Sequence, residues 1–508
     1  MTGLDEHDNG FIGDVIIVGE KIAAVTSDPA VTSSYAPDRV IDAHGKLVIP
    51  GGIDPHVHLE YPQGCHHVVS CDNFYTGSVA AVSGGTTTIL DFVEADNSAG
   101  ESLMGALESR KAAAARQSVV DFSFHMTLNR SDESTLEEEV PAVIAAGIPS
   151  FKIYTAYDGI RLTDSQLIPS FKSLARHGGL PIVHCECHDL IMARLADCRA
   201  NNWIDPQYQP YTRPVQGESE ATHRIAMLAE AAEVPAGVHI VHVTAEMALP
   251  TIINSAKFKN SAKMGPVTGE VCAHHLVLTD DVYRRGYDSS ADFVCAPPLR
   301  PQNDVTAMWR ALEDGTLSFT VTDHCPFTRQ QRRGIRRTPE FRKKWDAEGL
   351  HVTKAADTET PEMADKERWF RPEKTNELLP FFGMPGGVAG LETRILLTYH
   401  YGVVVRGMPL GRFVEVTSAA AAKRYNMWPQ KGNIGVGADA DVTIIDPSAV
   451  TKVTAEGLHQ NCDHCPFEGT EVKCMVDTVI ARGTVMVEKG VFLGGVEHHG
   501  AFIARKPY

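Results

Sequence analysis

Long apolar runs are missing from this chain. No stretch of about 18 consecutive hydrophobic residues occurs, the length a membrane helix requires, so no spanning helix is expected. Basic charge is also short. Lys and Arg number 47 against 64 Asp and Glu, a formal net charge of −17, which argues against nucleic acid or an anionic membrane as the main partner. A cysteine framework is lacking as well: the 11 cysteines are odd in number and scattered, the pattern of free thiols in a reducing compartment. The opening residues, Met1 to Asp8, are acidic and polar, unlike a secretory leader. The cytoplasm is therefore the expected location. No Gly-x-Gly-x-x-Gly follows an early strand, so a dinucleotide-binding open sheet has no support.

What is present is a well-cored globular chain. With 508 residues, 43% hydrophobic and 22% charged, it can build one large α/β barrel plus a smaller module. Its two ends read as short strands: 14–18, 21–25 and 39–42 at the start, then 441–446, 476–480 and 484–487 near the finish. One small β domain drawn from both ends is expected. The middle alternates apolar β runs with helical stretches. The β runs are 86–92, 120–124, 150–154, 181–184, 238–242 and 318–323; helical runs include 103–115 and 218–232. About eight such units fit a (β/α)8 barrel, with a doubly wound open sheet as the alternative. The expected boundaries are 1–49 for the first part of a β-sandwich, 50–433 for the barrel and 434–508 for the rest of the sandwich and a tail. Residues 328–376, polar and rich in Arg and Lys, read as an insertion, either a solvated segment or a lid or subunit contact.

The chemistry starts at Gly51-Gly52-Ile53-Asp54-Pro55-His56-Val57-His58. Residues i and i+2 of a strand point the same way, so His56 and His58 aim at one point, as metal ligation requires. Alone, the pair could be two surface histidines. Lys152, His184, His242 and Asp323 then fall in or at the ends of later strands, and barrel strand ends converge on one face. Taken singly, His184 or His242 could be a core histidine, Asp323 a helix cap and Lys152 a partner for a buried carboxylate. Their joint order favours a metal site. An ammonium is out of place beside divalent cations, and burial disfavours its charge. A neutral Lys152 amine can capture carbon dioxide, and the carbamate offers one oxygen to each of two metals.

These motifs, with Asp72 to Gly77, Gly84-Gly85-Thr86-Thr87, Ser150-Phe151-Lys152, Ala156-Tyr157, Val183 to Glu186, Arg213-Pro214, Val241-His242-Val243, Pro297 to Arg300, Thr322 to Phe327 and Pro466 to Gly469, are shared. The chain resembles the dihydropyrimidinase/hydantoinase branch of the cyclic amidohydrolases, within the metal-dependent amidohydrolase superfamily. The resemblance implies a barrel with a flanking β-sandwich from both termini, two divalent metal ions (zinc, with manganese or cobalt as alternatives), and a homo-oligomer, tetramer or dimer. It implies that His56, His58 and Asp323 hold the more buried metal, that His184 and His242 hold the other, and that carbamylated Lys152 bridges them. Tyr157 would bind the substrate carbonyl oxygen, and Asp323 would shuttle the proton. Ala296 and Thr393 would meet the ring amide through backbone groups, where relatives carry Ser and Asn.

The implied reaction is opening of a dihydropyrimidine or hydantoin ring by a metal-bridging hydroxide, giving an N-carbamoyl amino acid. Open alternatives are the same mechanism on another cyclic imide or lactam, and a non-catalytic scaffold. Glu60 stands where some relatives place an Arg that faces a substrate carboxylate, so it either disfavours an anionic substrate or turns away. Cys65, His66 and His67 sit in the loop from Gln63 to Cys71, and His66 and His67 are read as bystanders. Cys462 and Cys465 form a C-x-x-C with no second pair nearby, read as buried thiols. Asp463 to Phe467 repeats the residues of Asp323 to Phe327; outside the barrel, the repeat reads as coincidence.

Overall fold

The computed structural model describes residues 3–4, 10–63, 68–254, 264–332, 380–496 and 498–508. Strands β1 (Asp14–Val18) and β2 (Lys21–Thr26) form an antiparallel hairpin. β3 (Leu47–Pro50) leads through Gly51 into β4 (Gly52–Val57). A Cβ on Gly51 would collide with the Thr87 side chain, so the chain passes this point only without one.

Seven further parallel strands follow: β5 (Thr86–Val93), β6 (Asp121–Thr127), β7 (Ser150–Tyr154), β8 (Leu180–His184), β9 (Val238–Ile240), β10 (Val267–Cys272) and β11 (Phe319–Val321). They pair in chain order from β4 to β11. The ring closes where Val57 bridges His324 and the His58 N–H donates to the His324 carbonyl at 2.8 Å. This is the eight-stranded parallel barrel expected from the alternation. Its strands are almost wholly buried because helices cover the outside. The helices include α1 (Phe74–Ser83), α2 (Leu103–Gln117) and α3 (Val215–Ala231). α1 is started by an Asn73–Thr76 capping box and α2 by the Ser102 hydroxyl.

A separate antiparallel sheet unites the two ends of the chain. Its order is β15 (Val491–Phe492), β14 (Thr484–Glu488), β13 (Met475–Ala481), β12 (Val442–Asp446), β3. The β1–β2 hairpin packs over it, with Val15, Ile17 and Ile41 against Val48, Val442, Ile444 and Ile480. No strand forms at 39–42, where Val40 is 79% exposed. β10 is a strand that the pattern reading passed over. Its Gly269, Glu270 and Cys272 dilute the β-branched signal, while its neighbours in the barrel impose the conformation.

Of the basic insertion, residues 333–376 lie outside the described residues, as do Cys65, His66 and His67. Its first residues are docked. Arg329 pairs with Asp292 at 2.8 Å, and the buried Arg332 guanidinium donates to the carbonyls of Ala291, Val294 and Pro385. Among the described residues, no helix is long and apolar enough to cross a membrane.

Candidate metal centre

His56 is the fifth residue of β4 and His58 lies one residue past its end. Lys152 occupies the middle of β7, and His184 ends β8. His242 and Asp323 each stand two residues beyond their strands, where the chain turns with φ of 37° and 49°. Positive φ at such residues is strained, and strain of this kind collects at functional sites. All six positions open on one end of the barrel.

The side chains converge. The Asp323 carboxylate oxygen Oδ1 lies 3.1 Å from His56 Nε2 and 3.0 Å from His58 Nε2. Lys152 Nζ is 3.4 Å from His56 Nε2, and His184 Nδ1 is 2.9 Å from His242 Nε2. Ligand atoms of His56, His242 and Asp323 all lie within 4.8 Å of one another.

Carboxylates behind the rings set their orientation. Glu270 on β10 takes His56 Nδ1 at 2.5 Å and His239 Nε2 at 3.1 Å. Glu186 takes His184 Nε2 at 2.7 Å and is itself clasped by Arg213. With those nitrogens donating, His56 Nε2 and His184 Nδ1 turn lone pairs into the cluster, the tautomers that metal ligation uses.

Charge supports the same fit. Burial pushes the Lys152 amine down to about 8 and His58 down to about 4; it also holds His184 and His242 below the ordinary imidazole value. His56 is the exception. Burial and Lys152 oppose its charge, yet Asp323 and Glu270 together raise it, so a positive charge is wanted between those carboxylates. Burial opposes the Asp323 carboxylate, but His56 and His58 hold it well below its usual range. Finally, His58 Nδ1 and His242 Nδ1 are buried without a hydrogen-bond partner. Imidazoles, a carboxylate and a neutralisable amine around a spot that lacks positive charge fit divalent cations.

A model of the amidohydrolase family matches residues 47–486. The D-hydantoinase of Streptomyces coelicolor is 33% identical over 496 residues, covering 97% of this chain and 94% of that protein. The crystal structure of dihydropyrimidinase from Brevibacillus agri superposes with a TM-score of 0.83 at 31% identity, covering 98% of this chain and 96% of that one. The D-hydantoinase structure from a Bacillus species gives 0.82 at 32% identity, covering 98% and 97%. This chain belongs to the amidohydrolase family, in its dihydropyrimidinase/hydantoinase branch.

Around the centre of this amidohydrolase, Tyr157 follows β7 at a φ of 77°. Its ring stands 5.1 Å from that of His184, and the Arg213 guanidinium lies 5.0 Å from its ring centre. Burial raises its phenol, which stays protonated. Ala296 is half-buried in the loop after β10. Thr393 is not brought to the cluster by any described contact. It starts a short helix at Arg394, and its hydroxyl is spent on the Gly390 carbonyl at 3.1 Å. The Gly387 N–H donates to the Val294 carbonyl at 3.0 Å. Glu60 turns away, toward Gln117 at 3.4 Å and Arg110 at 3.7 Å, so its charge does not face the centre.

Glu270, Arg394 and Asp54 were not singled out by sequence reasoning. Asp54 lies under His56, accepts from Thr322 at 2.7 Å and faces Arg394 at 3.6 Å. The one available signal was chemical: carboxylates inside apolar strand runs require partners.

Proposed function

We propose that this amidohydrolase opens the ring amide of a cyclic ureide, a dihydropyrimidine or a hydantoin, to give an N-carbamoyl amino acid. Membership of the branch makes the chain a hydrolase of cyclic-amide carbon–nitrogen bonds; substrate, mechanism and product are the proposal. The observation that carries it is the convergence of His56, His58, Lys152, His184, His242 and Asp323, oriented from behind by Glu270 and Glu186. His56, His58 and Asp323 would hold one cation, His184 and His242 the other, and Lys152, as its carbamate, would join them. Two divalent cations, zinc or its neighbours manganese and cobalt, supply Lewis acidity and a hydroxide nucleophile at neutral pH.

The residues of the chain do the rest. Asp323 stays ionised among His56 and His58, so its oxygen can take the nucleophile's proton and hand it to the leaving ring nitrogen. The protonated Tyr157 hydroxyl donates to the carbonyl oxygen as negative charge develops there. Arg213, against the Tyr157 ring and in the grip of Glu186, holds that phenol in place. The ring amide would meet backbone groups at Ala296 and Thr393. Cytoplasmic location and a homo-oligomeric assembly belong to the same reading.

Zinc- or manganese-loaded protein mixed with dihydrouracil or hydantoin should consume the substrate's ultraviolet absorbance, and a chelator should stop it. Lys152→Ala should lose both metal and turnover. Full metal content and full activity in that variant would end the proposal.

A further inference from the structure

A second group of ligand-type side chains lies outside the centre. The loop before α1 and the segment between β12 and β13 are stitched together. The Asn461 side-chain amide donates to the Cys71 carbonyl at 3.0 Å, and the Asn461 N–H donates to Asp72 at 2.6 Å. This holds the segment carrying Cys462 against the loop carrying Cys71. Cys462 Sγ is 3.5 Å from His464 Nδ1, which is 3.0 Å from Asp463 Oδ1. The Cys462, Asp463 and His464 ligand atoms all lie within 4.8 Å of one another.

We propose that Cys462 and His464, with the Asp463 carboxylate on the solvent side, form a second metal site for a thiophilic divalent ion of the zinc class. Ligand atoms about 2.3 Å (sulfur) and 2.0 Å (nitrogen) from a tetrahedral zinc stand about 3.5 Å apart, the spacing of Cys462 and His464. Thiolate with imidazole selects zinc over the hard cations that prefer all-oxygen sites. The charge state is prepared. The Cys71 hydrogen bond, and then His464, pull the Cys462 thiol down toward thiolate. The Cys71 thiol is pushed up by the same pairing, and Cys462 raises His464 although burial opposes it. A cation at these atoms would displace to solvent the proton shared between Cys462 Sγ and His464 Nδ1. A thiolate–imidazolium pair could also mark a nucleophile, but Cys462 is only 8% exposed, whereas the half-exposed Asp463 gives an ion a way in.

The site would stand beside the segments that lead to the proposed catalytic centre. The Cys71 N–H donates to the Pro326 carbonyl at 2.9 Å, and the Arg329 N–H donates to Asp463 at 3.0 Å. The Asp463–Phe467 echo of Asp323–Phe327 thus holds two ligands of its own. The C-x-x-C partner Cys465 takes no part; its sulfur accepts from the Phe467 N–H.

Cobalt titration of the reduced, metal-stripped full-length protein tests this. The catalytic ligands include no thiolate, so a near-ultraviolet sulfur-to-cobalt charge-transfer band reports only a thiolate site. The band is expected in the wild type and in Lys152→Ala. It should vanish in Cys462→Ser, shift in His464→Gln, and survive in Cys272→Ser, which alters another buried cysteine. Cobalt should also raise the melting temperature of Lys152→Ala but not of the Lys152→Ala/Cys462→Ser double variant. A wild type without the band, a band that survives Cys462→Ser, or one lost in Cys272→Ser would overturn the proposal.

Discussion

A carboxylate behind a histidine decides which ring nitrogen keeps its hydrogen and which is free to bind a cation. Glu270 does this for His56, and the strength of the pairing shows in its acidity: burial opposes its charge, yet His56 and His239 hold it down to about 2. Glu270→Gln keeps the shape but lets the amide donate as well as accept, so His56 can take the wrong tautomer. Metal affinity at the centre should fall roughly 10–100-fold, measured by competition with a coloured chelator; unchanged affinity would show that Glu270 does not orient a ligand. In the proposed reaction Tyr157 acts later, as a donor to the oxyanion. Tyr157→Phe should lower kcat by roughly 10²–10³-fold, the loss expected for one oxyanion donor, with KM and metal content little changed. A mainly KM effect would make Tyr157 a ground-state contact only.

The strand carrying the histidine pair is positioned from its start. Gly51 gives its carbonyl to Ser418 at 2.6 Å and its N–H to the Asp441 carbonyl at 2.9 Å, and Thr87 of β5 fills the space a Cβ would take. Gly51→Ala should therefore cost about 1–3 kcal/mol by overpacking, seen as a lower denaturation midpoint. A midpoint equal to wild type would mean that β4 can shift without loss. Strand legibility varied for local reasons. β7 was readable end to end because Phe151, Ile153 and Tyr154 make it β-prone, and the whole strand is bounded and buried. β10 was not, and Arg39–Asp42, which has the same local look, stays out of any strand because no neighbour pairs with it. The converging histidines were legible because histidines at strand ends are rare in a core. Glu270, Asp54 and Arg394 were not, since a buried charge is recognised by its partner, and the partners are hundreds of residues away or on another strand.

The small sheet and the barrel are held as one body by a charge cluster beneath the strands. Lys431 Nζ lies 2.6 Å from Asp121, 2.6 Å from Asp441 and 3.0 Å from Asp439. Asp121 starts β6, Asp441 precedes β12, and Arg482 beyond β13 reaches Asp121 at 2.8 Å. The three carboxylates have the look of a cation site, but the Lys431 ammonium already neutralises them. Its charge is favoured there: burial opposes it, and the three aspartates overcome the burial. Lys431→Met would leave buried carboxylates short of a partner, which costs about 3–5 kcal/mol. The sign with pH follows from Asp439, whose folded-state value lies below its usual one because Lys431 outweighs burial. Its contribution is present above the unfolded carboxylate range and is lost as pH falls through the folded value. The deficit of Lys431→Met should thus be full at pH 7 and shrink below about pH 4, where an unpaired aspartate can take a proton instead. Because Asp121 lies at the start of β6 and the proposed metal ligands at the opposite strand ends, turnover per folded molecule should stay near wild type. Denaturant midpoints of both proteins across that pH range decide it: a deficit of the same size at both ends would mean that Lys431 works by packing its stem rather than by its charge.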